Sequence, residues 1–282
     1  MRNLILIIFL VLDVLVFTGC SDKKLPEFTK LDKLRIIALE SNTPEVDPGA
    51  TVTITPWVSD ITETVGLTDT VSVCTDPGVA FGATPTCDGS GTQVNIRTNQ
   101  ALTITGSNFT GSANTFNVTI PADTIVFANR TSQEKWNGVN YLIHYKLKNS
   151  AGTEISAIRR IVVSETAKTT KNASPVVSTI LSDGASMVAL PVGTKVNLST
   201  NMTAESQESF QSKNSDGNLT VESEQVAVTW MVTDGETKYA RSEIAATNQY
   251  TGPSSAPAGR KAHIFAVARD NRGGVKVIKV EF

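Results

Sequence analysis

The feature that most constrains the fold is a long hairpin signal that occurs twice. Asn140-Tyr141-Leu142-Ile143-His144-Tyr145-Lys146-Leu147-Lys148 runs into Asn149-Ser150-Ala151-Gly152, and residues 155–163 return as its partner. Lys261-Ala262-His263-Ile264-Phe265-Ala266-Val267-Ala268-Arg269-Asp270 runs into Asn271-Arg272-Gly273-Gly274, and residues 275–282 close the chain. Apolar strand-length segments bounded by Gly-containing turns specify antiparallel pairing. The repeat predicts two units, each ending in a long hairpin.

The rest of the chain agrees with strands rather than helices. Thr51-Val52-Thr53-Ile54-Thr55-Pro56-Trp57-Val58 alternates with period two, which turns Val52 and Ile54 to a core. Shorter strand-like segments follow at residues 34–40, 70–74, 93–96, 102–104, 116–120, 176–181 and 226–232. Pro48-Gly49 before the first alternating strand is echoed by Val192-Gly193 before the strand at 194–198. Residues 205–225 read as a long polar loop, with a short strand at 219–221. No convincing amphipathic helix interrupts the series. Many short strands with frequent turns indicate an all-β chain of two tandem sandwiches. The polar stretch Ser164 to Ala173 marks the boundary. The expected organisation is 1–19 signal peptide, 20–32 tether, 33–164 first sandwich, 165–173 linker and 174–282 second sandwich.

The start of the chain sets location. Met1-Arg2 is a basic start, residues 4–17 are an apolar run containing Asp13, and Thr18-Gly19 are small. This is the pattern of a secretory signal peptide. The run is short for a membrane span, which takes about 20 apolar residues. Phe17-Thr18-Gly19-Cys20 resembles the lipobox of bacterial lipoproteins, though that family usually has Leu where Phe17 stands. The resemblance implies cleavage before Cys20, diacylation of its thiol and lipid anchoring in the cell envelope. Ser21 after the cysteine implies the outer membrane, by the rule of enterobacterial lipoproteins. The polar stretch Ser21-Asp22-Lys23-Lys24 then serves as the tether.

Cys74 and Cys87 are the remaining thiols. In an exported chain such a pair reads as a disulfide, here across a loop rich in turn residues. Free thiols or a metal pair are the alternatives, and no histidine stands at ligand spacing.

Other sequence resemblances are structural. Residues 34–39 followed by Pro44-Glu45-Val46-Asp47-Pro48-Gly49 look like the start of Ig-like domains in bacterial surface lipoproteins. Residues 265–274 are similar to the final hairpin of polycystic-kidney-disease-type and other Ig-like domains. Trp230 occupies a place like the buried Trp of an Ig-type third strand. The resemblance implies Ig-like sandwiches and says little about ligand.

Charge and chemistry point away from several functions. The net charge is −2 and is unchanged by loss of residues 1–19, which removes Arg2 and Asp13. No basic surplus argues for nucleic acid. No Gly-x-Ser-x-Gly or His-Glu-x-x-His occurs. His144 and His263 fall in matching places of the repeated hairpin, which favours architecture over catalysis. Asp234-Gly235-Glu236 and Asp270-Asn271 could supply oxygens to calcium, but beside glycines they read as turn chemistry. We therefore expect no enzyme, no cofactor and no metal site. Asn248-Gln249-Tyr250-Thr251-Gly252-Pro253 reads as an exposed loop, and loops carry recognition on such scaffolds. Asn248, Gln249, Tyr250 and Pro253 are its candidate contact residues. The expected role is a non-enzymatic envelope module for adhesion or surface interaction, held to the membrane through Cys20. Its partner would be a protein or a surface polysaccharide. An accessory subunit of an envelope or secretion complex, or an enzyme with a loop-built site, are the rival readings.

Overall fold

The computed structural model describes residues 28–62, 66–78, 83–103, 109–202, 206–244 and 246–282. The expected signal peptide and the expected lipidation residue Cys20 lie outside the described residues.

The chain is all-β. The first half contributes β1 (Arg35–Ser41), β2 (Glu45–Val46), β3 (Thr51–Asp60), β4 (Thr68–Thr75), β5 (Val94–Ala101), β6 (Phe109–Ser112), β7 (Phe116–Thr119), β8 (Val139–Lys148) and β9 (Glu154–Val163). Two short helices, α1 (Asp123–Val126) and α2 (Ser132–Asn137), precede β8. The second half contributes β10 (Ile180–Ser182), β11 (Ala185–Ser186), β12 (Lys195–Thr200), β13 (Ser209–Lys213), β14 (Leu219–Ser223) and β15 (Val226–Val232). It is completed by β16 (Glu236–Thr237), β17 (Arg241–Glu243), β18 (Asn248–Thr251), β19 (His263–Asp270) and β20 (Val275–Glu281).

In the first sandwich β3 pairs with β1, β6 and β7, and this sheet faces a second one of order β2-β9-β8-β4-β5. The alternation read from residues 51–58 holds: Val52 and Ile54 are fully buried and pack with Val71, Ile143, Tyr145 and Ile161 across the gap. In the second sandwich a sheet of order β11-β10-β12-β18-β16 faces β17-β15-β19-β20. Its core holds Ile180, Leu198, Trp230, Tyr250 and Ile264. Trp230 is fully buried, and its indole N–H donates to Ser242 Oγ at 2.9 Å. Burying an indole is favourable only when its polar end finds a partner.

The repeated hairpin is real at the level of single hydrogen bonds. Asn149 Oδ1 accepts the N–H of Thr153 at 2.9 Å, and Asp270 Oδ1 accepts the N–H of Gly274 at 2.7 Å. In each, a glycine with positive φ stands three residues after the acceptor: Gly152 at 85° and Gly273 at 102°. The β13–β14 hairpin repeats the device with Asn214, Gly217 and Asn218. Once the turns are superposed by number, His144 falls opposite Phe265, and His263 falls opposite Leu142. The histidines therefore sit two positions apart on equivalent faces, not at one matching position.

Those equivalent faces are covered differently. On β8, Leu142 packs with the disulfide Cys74–Cys87, whose Cα atoms are 5.6 Å apart. On β19, Phe265 and Val267 pack with Ile37 and Ala38 of β1 and with Trp57 of β3, whose ring meets Phe265 edge-on at 6.2 Å. A bulge between Ile36 and Ala38 lets both Ile37 and Ala38 face the second sandwich. The sheet β17-β15-β19-β20 is thus buried on both sides. This explains why residues 264–268 form an unbroken apolar run rather than an alternating one.

The stretch expected to be tether and linker is partly structural. Thr29 to Leu31 lies along β15: the Leu31 N–H donates to the Val232 carbonyl, and the Val232 N–H to the Thr29 carbonyl, both at 2.8 Å. Leu31 is fully buried between the sandwiches. Residues 165–173 carry no strand, yet Lys168 and Asn172 are buried.

Candidate binding surface at the seam of the two sandwiches

Pro44 and Pro48 limit β2 to two residues, which pair parallel with Val162 and Val163 of β9. This holds Glu45 at the sandwich edge, 3% exposed. Its Oε1 accepts Lys168 Nζ at 2.7 Å. Its Oε2 accepts Arg272 Nη2 and the backbone N–H of Asn172, each at 2.8 Å. Arg272 comes from the β19–β20 turn. Asp270 Oδ1 fixes that turn by accepting the N–H groups of Arg272 and Gly274 at 2.8 and 2.7 Å. A Cβ on Gly274 would stand 1.9 Å from Asp270 Oδ2, so only glycine allows this closure. Arg272 Nη1 then reaches Glu224 Oε1 at 3.0 Å, and the guanidinium lies 4.2 Å from the Phe210 ring centre.

Burial alone would raise the Glu45 carboxyl. Hydrogen bonds from Lys168, Ser164 and the Asn172 backbone outweigh it and hold the group below the ordinary carboxylate range. Glu224 is shifted the other way, by burial first and then by the Asp270 charge, with Arg272 only partly opposing. One arginine therefore bridges two buried carboxylates, and Lys168, Ser164 and the Asn172 backbone are what hold Glu45 low while Glu224 is raised.

The β13–β14 ribbon crosses from the second sandwich to α2 of the first. Thr131 caps α2 in a reciprocal box with Glu134. Asn137 then pairs with both backbone groups of Lys213: its Nδ2 donates to the carbonyl at 2.8 Å, and its Oδ1 accepts the N–H at 2.7 Å. Gln133 Nε2 adds a bond to the same carbonyl at 3.0 Å, and Lys213 Nζ lies 4.9 Å from the Trp136 ring centre. Between ribbon and seam lies a cleft of about 380 Å³, bordered by Asn140, Arg160, Phe210, Gln211 and Asn271.

The groups singled out in sequence fall elsewhere. Cys74 and Cys87 are joined in a disulfide, fully buried beneath β8. The segment at 248–253 is not an exposed loop. Its first four residues are β18, paired with β12 and β16, and Asn248 and Tyr250 are fully buried. The Asn248 amide donates to the Tyr239 carbonyl and accepts the Tyr239 N–H, while Tyr250 donates to the Asp234 carbonyl at 2.8 Å. Satisfied polar ends let a polar sequence serve as a core strand. Gln249 and Pro253 are half-buried, and exposure begins at Ser254.

His144 Nδ1 lies 3.1 Å from Thr86 Oγ1 in the disulfide loop, and burial, with help from Lys146, lowers its pKa. His263 opens β19, and burial, aided by Lys279, pushes it down to about 4. Asp234 is held by both Nη atoms of Arg260 at 2.7 Å. Among the described residues no group of three or more His, Cys, Asp or Glu side chains is placed to hold a metal ion.

Local sequence gives Glu45, Phe210 and Arg272 the look of turn or loop residues and assigns Trp136 no role. Their partners lie up to 227 residues away, beyond any local pattern.

No family model and no curated protein matches the chain. Among solved structures, the chain is similar to the N-terminal Ig1-2 module of the Drosophila receptor protein tyrosine phosphatase DLAR. Identity is 10% and the TM-score 0.27, over 88% of this chain and 97% of that one. It is also similar to Bacteroides ovatus SGBP-B of a mixed-linkage glucan utilization locus, solved with a mixed-linkage heptasaccharide. There identity is 13% and the TM-score 0.23, over 89% of this chain and 47% of that one. Yersinia pseudotuberculosis adhesin InvE gives 12% identity and a TM-score of 0.23, over 89% and 60%. At these scores the likenesses carry no argument about activity or ligand.

Proposed function

We propose that the chain is a lipid-anchored cell-envelope protein, held through Cys20, that acts as a non-enzymatic binding or structural module for a protein or surface polysaccharide. The observation that supports this most is how the seam uses its polar groups. Glu45, Lys168, Arg272, Glu224 and Asn137 are engaged with one another or with backbone across the two sandwiches. Such a cluster fixes the relative position of two units and presents a rigid surface. The Cys74–Cys87 bridge suits an oxidising compartment. Residues 1–20 supply the export signal and the acceptor thiol.

Two measurements test the reading. Cys20→Ser should abolish acyl labelling and release the protein from membranes; labelling that persists in the variant refutes the anchor. Crosslinking of the anchored chain in its own envelope, followed by pull-down, should recover a discrete partner. Turnover of a small substrate by the purified chain would instead favour an enzyme.

A further inference from the structure

A second groove, of about 460 Å³, lies on the other side of the seam. It follows the outer edge of β9. That strand is ten residues long, and β2 covers only Val162 and Val163 of its edge. Ala157 and Arg159 come from this edge, Ile37 and Ala38 from β1, and Met231 and Arg269 from the facing sheet of the second sandwich.

The two arginines are unlike the other buried cations. Lys168 and Arg272 are each paired with a carboxylate within 3 Å. Arg159 is 7% exposed, and among the described residues its only side-chain hydrogen bond runs from Nη2 to Ser41 Oγ at 2.8 Å, leaving the buried Nε without a partner there. Arg269 donates to Thr229 Oγ1 and the Ile37 carbonyl at 3.2 and 3.3 Å. Neither forms an ion pair among the described residues. The nearby carboxylates are committed elsewhere: Asp270 to its own turn, and Glu40 to Lys276 and the Trp57 indole. A buried guanidinium is ordinarily paired, because desolvation without a counter-charge is costly. Burial depresses Arg159 to about 10; the Asp270 and Glu40 charges oppose the shift and the Arg269 charge adds to it. The groove thus offers two under-used fork donors beside apolar walls.

We propose that this groove binds a small carboxylate with an apolar arm, its head held by Arg159 and Arg269 and its arm lying along Ile37, Ala38 and Met231. An anion here supplies the charge the arginines lack, and charge-assisted bonds to guanidinium are the stronger kind. A short acyl chain and the end of an apolar peptide share this chemistry.

The test uses the full chain with hexanoate and N-acetyl-leucine as probes, and hexanamide and N-acetyl-leucinamide as neutral controls. Calorimetry should show binding of at least one acid at millimolar concentration and of neither amide. Preference for hexanoate indicates an acyl ligand, and preference for N-acetyl-leucine a peptide end. Arg269→Gln should weaken the acid by about tenfold or more, the size of a lost charge-assisted contact. In the unaltered chain the same acid should protect Arg269 from phenylglyoxal, which keeps the test open if the variant folds poorly. Equal binding of acids and amides, unchanged affinity in Arg269→Gln, or no protection by either acid would overturn the proposal.

Discussion

Glu45 and Arg272 meet at 2.8 Å across the seam, each almost wholly shielded from water. The pair joins a two-residue strand of the first sandwich to the last hairpin turn of the second. Three further groups, Lys168, Glu224 and the Asn172 backbone, complete it. The relative placement of the sandwiches therefore depends on a few buried charges as well as on apolar contact.

Removing one member should be costly. Glu45→Ala leaves Arg272 and Lys168 buried with less counter-charge, a defect of about 3–5 kcal/mol. Denaturant unfolding of the variant measures it. The sign with pH follows from the lowered pKa: the stabilisation by Glu45 is complete above its unfolded value and is lost as pH falls through the lower folded value. Wild type should thus converge on Glu45→Ala in acid. A constant gap down to low pH would contradict the role.

The disulfide closes a loop with a sequence separation of 13. For a loop of that size the chain-entropy model assigns about 3 kcal/mol. Replacing Cys74 and Cys87 together with Ala should lower stability by about that amount. A non-reduced digest of envelope material should yield the linked peptides by mass spectrometry.

His263 should report on acid stability. Its folded pKa is near 4, so the unfolded chain takes up the proton first as pH falls from about 6.5. Stability contributed by the neutral ring is present above about 6.5 and drains down to about 4. The slope approaches about 1.4 kcal/mol per pH unit. Burial, then Lys279 with Arg260 and Lys261, lowers the folded pKa and so widens the window, and Glu281 narrows it. His263→Gln should flatten the profile in that window; an unchanged slope would show that other groups carry it.

Residues 174–282 should fold alone but less stably than in the full chain. Their core around Trp230 is their own, whereas the face of Met231, Phe265 and Val267 is covered by the first sandwich and Leu31. In the full chain Trp230→Ala and Phe265→Ala should each cost about 3–5 kcal/mol. In the isolated half Trp230→Ala should stay as costly, while Phe265→Ala should lose most of its effect, because that ring then faces water. Equal costs in both contexts would place the shared face elsewhere.

Local patterns made much of the fold legible. The alternation at 51–58, the turns at Asn149 and Asp270 and the buried Trp230 could be read because each depends on neighbours a few residues away. β18 was misread because its apolar content is one tyrosine, followed by Gly252-Pro253. What makes it a core strand is the satisfaction of Asn248 by Tyr239, and a sequence does not display that. Of the β13–β14 ribbon, the strand at 219–221 was legible and falls within β14, while polarity hid β13. The shared face did leave a trace: the run Ile264 to Ala268 lacks the alternation of a half-exposed strand. The seam left none, because charged residues near glycine look alike whether solvated or paired.

The pairing of Leu31 with Val232 bears on the order in which the structure can be completed. The partner of the earliest described stretch is synthesised about two hundred residues later, and contacts of such separation form slowly. Until then Leu31, Ile37 and Trp57 have nothing to cover them. The growing chain must therefore keep this sticky face half-built until its last hairpin arrives to close it.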